Sequence, residues 1–242
     1  MVSYSKEFIK RLRLRHRGYS ALLIAQIIFL ILLPVAERYP ALQSCLNIAL
    51  ASILLGLVSR YTQIKKLNSF FFGLGILAIS LEVIWRFSLG FFPAMGHWLT
   101  PVHVFIWILF FMLSILRLIK SLIREPFVTV EVVMAAVDGY LLIGVAGGVL
   151  LTATLEMHPA AFDINVLTNS NAYDGLGNIS NPVSIFSPVL MATAFNILTT
   201  VGTGVVSSGD TTSQVIVTII TVSGQLYIAI LIAFILGRSR SR

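Results

Sequence analysis

The run Thr199-Thr200-Val201-Gly202-Thr203-Gly204 lies late in the chain between two apolar stretches, and its reading decides the rest. Glycine has no Cβ, so positions 202 and 204 open the backbone to conformations that other residues disfavour. Consecutive carbonyls can then turn to one side, where four copies around an axis would replace the hydration shell of a cation. A GxG triplet is common in ordinary loops, so the flanking sequence carries the argument. Residues 186–198 are apolar but too few to cross hydrocarbon as a helix, which takes about 20 residues. Residues 214–236 are long enough, and they include Gly224. A short helix, a carbonyl-bearing loop and a full span together predict a re-entrant pore segment.

The composition sets the class. Of 242 residues, 57% are hydrophobic and 11% charged, more apolar sequence than a soluble core of this size requires. Six predicted spans cover residues 19–36, 42–58, 70–84, 99–118, 128–154 and 214–236. The net charge of +7 does not point to nucleic acid, because the basic residues sit in short segments between spans. With six crossings both termini share a side. That side carries 15 Lys and Arg, against Arg38 and Arg86 on the other, so the positive-inside rule places the termini in the cytoplasm of a cell-membrane protein. The basic and then apolar amino terminus lacks a clear cleavage site and reads as an uncleaved first helix. Its residues 6–17 serve either as a topology signal or as a basic helix on anionic lipid. One cysteine, Cys45, allows no disulfide framework. Residues 87–98, aromatic with Gly and Pro, fit a membrane interface. Residues 156–184 read as an external turret-like loop, and the Asn178-Ile179-Ser180 triplet within it is disregarded as a glycosylation signal.

Two further motifs bear on the pore. Val128-Thr129 leads to Tyr140-Leu141-Leu142-Ile143-Gly144, and the last span carries Gly224-Gln225-Leu226-Tyr227-Ile228-Ala229-Ile230-Leu231-Ile232-Ala233. With Thr200-Val201-Gly202-Thr203-Gly204, these resemble bacterial potassium channels of the pore-loop superfamily, over about half the chain. The first four spans resemble that family in layout only. The resemblance implies an all-α homotetramer of six-helix subunits. Residues 1–18 are a basic cytoplasmic terminus, 19–118 a peripheral four-helix domain, 119–127 a linker, 128–237 the pore domain and 238–242 a basic tail. It also implies a filter of Thr200, Val201, Gly202, Thr203 and Gly204, permeant potassium with some sodium, no other cofactor or metal, and a hinge at Gly224. Close packing is an equally good role for that glycine.

On the last span Gln214, Thr218, Thr221 and Gln225 recur at helical spacing, a stripe suited to a water-filled cavity or to hydrogen bonds between helices. Ile228, Ile232 and Ile235 continue it as a candidate dewetting gate. Thr203 and Val205 replace the tyrosine and aspartate usual in the family, and Asp210 is the nearest downstream carboxylate at the entrance. These departures imply relaxed discrimination between potassium and sodium, and they keep open a second reading, a non-conducting scaffold or auxiliary subunit. Asp138, inside the fifth span, fits a structural hydrogen bond to a neighbouring helix or a coupling or proton-sensing role. Glu82 and Arg86 are spaced for a local ion pair, and His103 reads as a packed histidine. No His, Asp, Glu or Cys cluster has catalytic or metal-binding spacing, which argues against an enzyme.

Overall fold

In hydrocarbon the backbone has no water to bond with, so each crossing segment must satisfy its own amides and carbonyls. The computed structural model describes residues 6–61, 65–123, 129–163, 182–207 and 209–239, and among these it is all-helical. Seven α-helices follow in order: α1 Lys6–Arg38, α2 Pro40–Tyr61, α3 Lys65–Phe91, α4 Pro93–Ile123, α5 Val130–Met157, α6 Pro182–Leu198 and α7 Thr211–Ser239. A 3₁₀ turn, Pro159–Ala161, follows α5, and an isolated antiparallel bridge joins Phe162 to Val206. Five helices, α1, α3, α4, α5 and α7, are long and apolar enough to cross a membrane. The expected second span, 42–58, falls on α2, whose apolar stretch Ala41–Leu57 is shorter than the others.

Several boundaries differ from the sequence reading. The basic residues from Lys6 onward continue into α1 without a break. Residues 87–98 are helical almost throughout, since only Phe92 separates α3 from α4. The linker expected at 119–127 begins later, because α4 runs to Ile123. Residues 124–128, the Asn178-Ile179-Ser180 triplet with most of the expected external loop, and residues 240–242 of the tail lie outside the described residues.

The helix that organises the bundle is α5. In its most apolar window 67% of residues are buried, against 22–39% for the other four long helices. It packs against α1, α4, α6 and α7. Its buried face is rich in small residues, among them Ala135, Ala136, Gly144, Gly147 and Gly148. Small side chains let helix backbones approach closely, and this contact is the main attraction between helices already in lipid. The tightest approach is at Gly148, where an added Cβ would sit 2.9 Å from the Cα of Met191 on α6.

Polar ties support the packing. Gln26 on α1 donates from Nε2 to the Asp138 carbonyl at 3.1 Å, and Tyr19 on α1 shares a 2.8 Å hydrogen bond with Ser121 on α4. Between α3 and α4 the rings of Phe71 and Phe110 stack with centroids 5.2 Å apart. At the other extreme stands α7, with the 22% window and with Val215, Ile219, Val222, Leu226, Ile230 and Ile232 exposed.

Gly148→Ala forces α5 and α6 apart and is expected to cost about 1–3 kcal/mol, the usual penalty for overpacking. Gly73, on α3, has nothing within 4 Å of an added Cβ. Gly73→Ala is therefore expected to be neutral or to stabilise by up to about 1 kcal/mol. Thermal unfolding of both variants in one detergent checks the contrast.

Candidate functional site

The site begins where α6 stops. The amide of Thr200 donates to the Ile197 carbonyl at 3.0 Å and that of Val201 to the Asn196 carbonyl at 2.8 Å. Thr200 has φ 61°, in the left-handed region. These two bonds and that conformation make a Schellman cap, which usually places glycine where Thr200 stands. A β-branched residue there is strained. Gly204, with φ 57°, is the second left-handed residue, and a Cβ on it would lie 3.0 Å from Thr193 Oγ1. The expectation that Gly202 takes a special conformation is not met: its φ is not left-handed, and an added Cβ would meet nothing within 4 Å. The α6 cap takes up the reversal two residues earlier.

Side chains from both flanking helices complete the cap. Tyr140 on α5 donates its hydroxyl to the Leu198 carbonyl at 3.1 Å, and Thr221 on α7 donates to the Ile197 carbonyl at 3.4 Å. Gly224 lies against the same turn, since its Cβ would fall 2.4 Å from Leu198 Cδ1. That contact matches the close-packing role for Gly224.

Beyond the cap, residues 199–204 are exposed, Val201 at 77%. Val205 and Val206 then turn inward and are buried. They pair with the segment that leaves α5: the Asp163 amide donates to the Val205 carbonyl and the Ser207 amide to the Ala161 carbonyl, both at 2.9 Å. Next, Asp210 caps α7 by accepting from the Ser213 amide at 2.9 Å, and its other oxygen lies 3.1 Å from His158 Nε2. The Ser213 hydroxyl donates to the carbonyls of Asp210 and Ser207. The Ser213 amide first, and the His158 side chain second, hold the Asp210 carboxyl below its ordinary range.

The remaining expected positions distribute as follows. Thr218 and Gln225 are exposed on α7, while Thr221 is half-buried and committed to Ile197. Ile228 and Ile232 are exposed; the side chain of Ile235 lies outside the described residues. Asp210 is not a free carboxylate at the entrance, since His158 and Ser213 engage it. Asp138 is fully buried, yet neither carboxylate oxygen has a hydrogen-bond partner among the described residues. The bond to a neighbouring helix forms through its backbone carbonyl instead, which accepts from Gln26 on α1, while the Tyr227 hydroxyl donates to the Ala136 carbonyl. Glu82 is bonded to His103 and Trp107 on α4 while Arg86 stays within its electrostatic reach, and His103 is packed as expected. Among the described residues no three His, Cys, Asp or Glu side chains converge as a metal site.

Three contributors have no role in the sequence reading. Tyr140 belongs to a noted motif, but its target is 58 residues away. His158 and Thr193 give no local signal. The Asp210 cap was legible, as an acidic residue three positions before a serine and followed by an apolar run.

The fold defines a multi-pass membrane protein with five candidate spanning helices. No protein-family model matches the chain, and no curated protein or solved structure is significantly similar to it.

The Asp210 clamp has a pH signature. A carboxyl depressed in the fold stabilises it above the unfolded pKa, about 4, and that contribution disappears as pH falls through the lower folded value. Acidification below about pH 4 should therefore lower the hydrogen-exchange protection factors of residues 205–207 and 209–213, and Asp210→Ala, which cannot accept from Ser213, should show lowered protection already at neutral pH. Equal protection in wild type and variant would show that the clamp contributes nothing.

Proposed function

We propose that four copies of this chain form a cation channel that passes potassium, with some sodium, through a ring built from Thr200, Val201, Gly202, Thr203 and Gly204. The reading rests on one observation above all: residues 199–204 are exposed while the turns on either side of them are anchored. An ordinary surface loop does not need bonds from two helices to its first turn and a backbone bridge to its last. One chain supplies one such loop, so closing a ring of carbonyls takes several copies, and four matches the family resemblance. The thin coverage of α7 agrees, because Thr218, Gln225, Ile228 and Ile232 lie open along it. In the assembly these residues face the axis, the polar ones lining a cavity and the isoleucines a constriction. In this topology α2 also crosses, α6 is re-entrant, and both termini lie in the cytoplasm. The protein carries ions rather than catalysing a reaction.

The departures from the family bear on selectivity. Val205 is buried in the apolar core, where the charge of the usual aspartate would be costly to desolvate. The bridge to residues 161–163 and the His158–Asp210 pair brace the outer side of the loop in its place. Thr203 is exposed, and among the described residues no side-chain hydrogen bond of its own restrains it. Discrimination depends on how firmly the carbonyls are held, so relaxed preference for potassium over sodium follows at this level.

The test uses Gly202→Val, which the fold tolerates because the position is open and its backbone conformation ordinary. Wild-type protein in liposomes is expected to dissipate potassium and, more slowly, sodium gradients, and to exclude chloride. The variant is expected to assemble as a tetramer and lose that flux. A tight wild type would refute conduction and favour the scaffold reading.

Steep voltage dependence is not expected. Within 99–118 the sole Lys or Arg is Arg117, and its guanidinium sits 4.4 Å above the Phe71 ring. Each charge crossing the field is worth about 2.3 kcal/mol per 100 mV, so steep gating needs several per subunit. Open probability measured against voltage in symmetric salt should be nearly flat.

A further inference from the structure

Where the end of α3 meets the start of α4, buried ionisable groups converge that conduction does not use. Glu82 is 1% exposed and His103 7%. His103 Nε2 lies 2.7 Å from Glu82 Oε2, and Trp107 Nε1 donates to the same oxygen at 2.8 Å. Trp85 stacks on the imidazole, with centroids 4.6 Å apart and planes 7° from parallel. The Trp85 Nε1 donates to Thr100, whose hydroxyl donates to the Gly96 carbonyl, so this ring is itself held in place.

Counting protons defines the open valence. A carboxylate only accepts, so with Glu82 ionised a neutral His103 carries its hydrogen on Nε2. The 3.0 Å separation of Trp107 Nε1 from His103 Nε2 is then two donors converging on one oxygen. Nδ1 is left with a bare lone pair, buried and without a partner among the described residues.

We infer that this cluster is a proton-binding site, in which His103 takes up a proton at Nδ1 while Nε2 stays bound to Glu82. The proton adds to the lone pair and no other bond changes, so the bond from a neutral imidazole to a carboxylate becomes an ion pair. In the low-dielectric interior the attraction between two such charges is stronger than in water. The imidazolium also gains a cation–π contact with the face of Trp85. Both gains lie between α3 and α4, so proton uptake tightens that helix pair.

The facing groups set the balance. On α3, Arg86 lies within electrostatic reach of Glu82 and opposes the added charge; on α2, Cys45 is the titratable group near Arg86. On α4, His103 is the proton acceptor. Its neighbour α5 carries Glu156 and His158 at its end. In the topology proposed above, this end of the bundle faces the exterior, but the site does not depend on conduction.

The tryptophans supply the readout. The chain has three, and Trp85 and Trp107 both touch His103. Trp98, 86% exposed and next to His97, is replaced by Phe to silence it. Imidazolium quenches indole emission more strongly than imidazole does. The full-length Trp98→Phe protein in detergent is expected to lose emission reversibly in one step as the pH is lowered from about 8 to about 5. Adding His103→Gln, which keeps a donor toward Glu82, is expected to abolish the step. Emission that is flat over this range, or a step that survives His103→Gln, overturns the site. Should that variant fail to fold, carbon-13 histidine spectra of the wild type decide. A buried imidazole shifting in parallel with the emission supports the site, and one that never titrates overturns it. These outcomes are independent of flux, so the site and the channel reading stand or fall separately.

Discussion

A helix that ends within packed surroundings leaves its last carbonyls without partners, and the structure turns on how those of α6 are satisfied. An unpaired buried carbonyl costs about 1–3 kcal/mol, so several together would prevent a short helix from stopping there. The amides of Thr200 and Val201 bond two of the carbonyls, and the hydroxyls of Tyr140 and Thr221 reach the Leu198 and Ile197 oxygens. Those hydroxyls come from α5 and α7. The α6 terminus is thus the point where three helices are locked together, and residues 201–204 project from a rigid base.

The same requirement explains the shape of α5. To bring Tyr140 within reach of Leu198, α5 must run close along α6, which Gly148 and Gly144 permit by leaving room for Met191 and Phe195. A larger residue at either position would hold the backbones apart and pull the tyrosine from its carbonyl. Beyond the exposed loop the chain is fixed again by the Phe162–Val206 bridge and the Asp210 cap. Strain at Thr200 is tolerated because neighbouring bonds on both sides over-determine its conformation.

The peripheral helices follow a different logic. Polar side chains there are few and are bonded in pairs or clusters: Tyr19 with Ser121, Gln26 with the Asp138 carbonyl, and Glu82 with His103 and Trp107. Each links neighbouring helices, which fixes their register where apolar packing alone allows sliding. On α5 the Asp138 carboxylate has neither oxygen bonded among the described residues, beside the close approach of Gly139 to Tyr227.

By itself the sequence determined the all-helical membrane class, the sites of the long helices, the short apolar α6 and the position of the loop that follows it. Those properties depend on local composition and on the length needed to cross hydrocarbon, and both are readable residue by residue. The segment at 87–98 was legible as a connection between spans, but its helical form was not: α3 and α4 continue through it, with only Phe92 between them. Tertiary structure decided the partners. It bonded Glu82 to His103 on α4, engaged Asp210 with His158, put Thr200 rather than Gly202 in the left-handed conformation, and spent Thr221 on a carbonyl. A side chain's hydrogen bond goes to whichever group the packing brings within about 3 Å, and that neighbour lies 21, 52 or 24 residues away in the three pairs concerned. No local pattern encodes a distance of that kind.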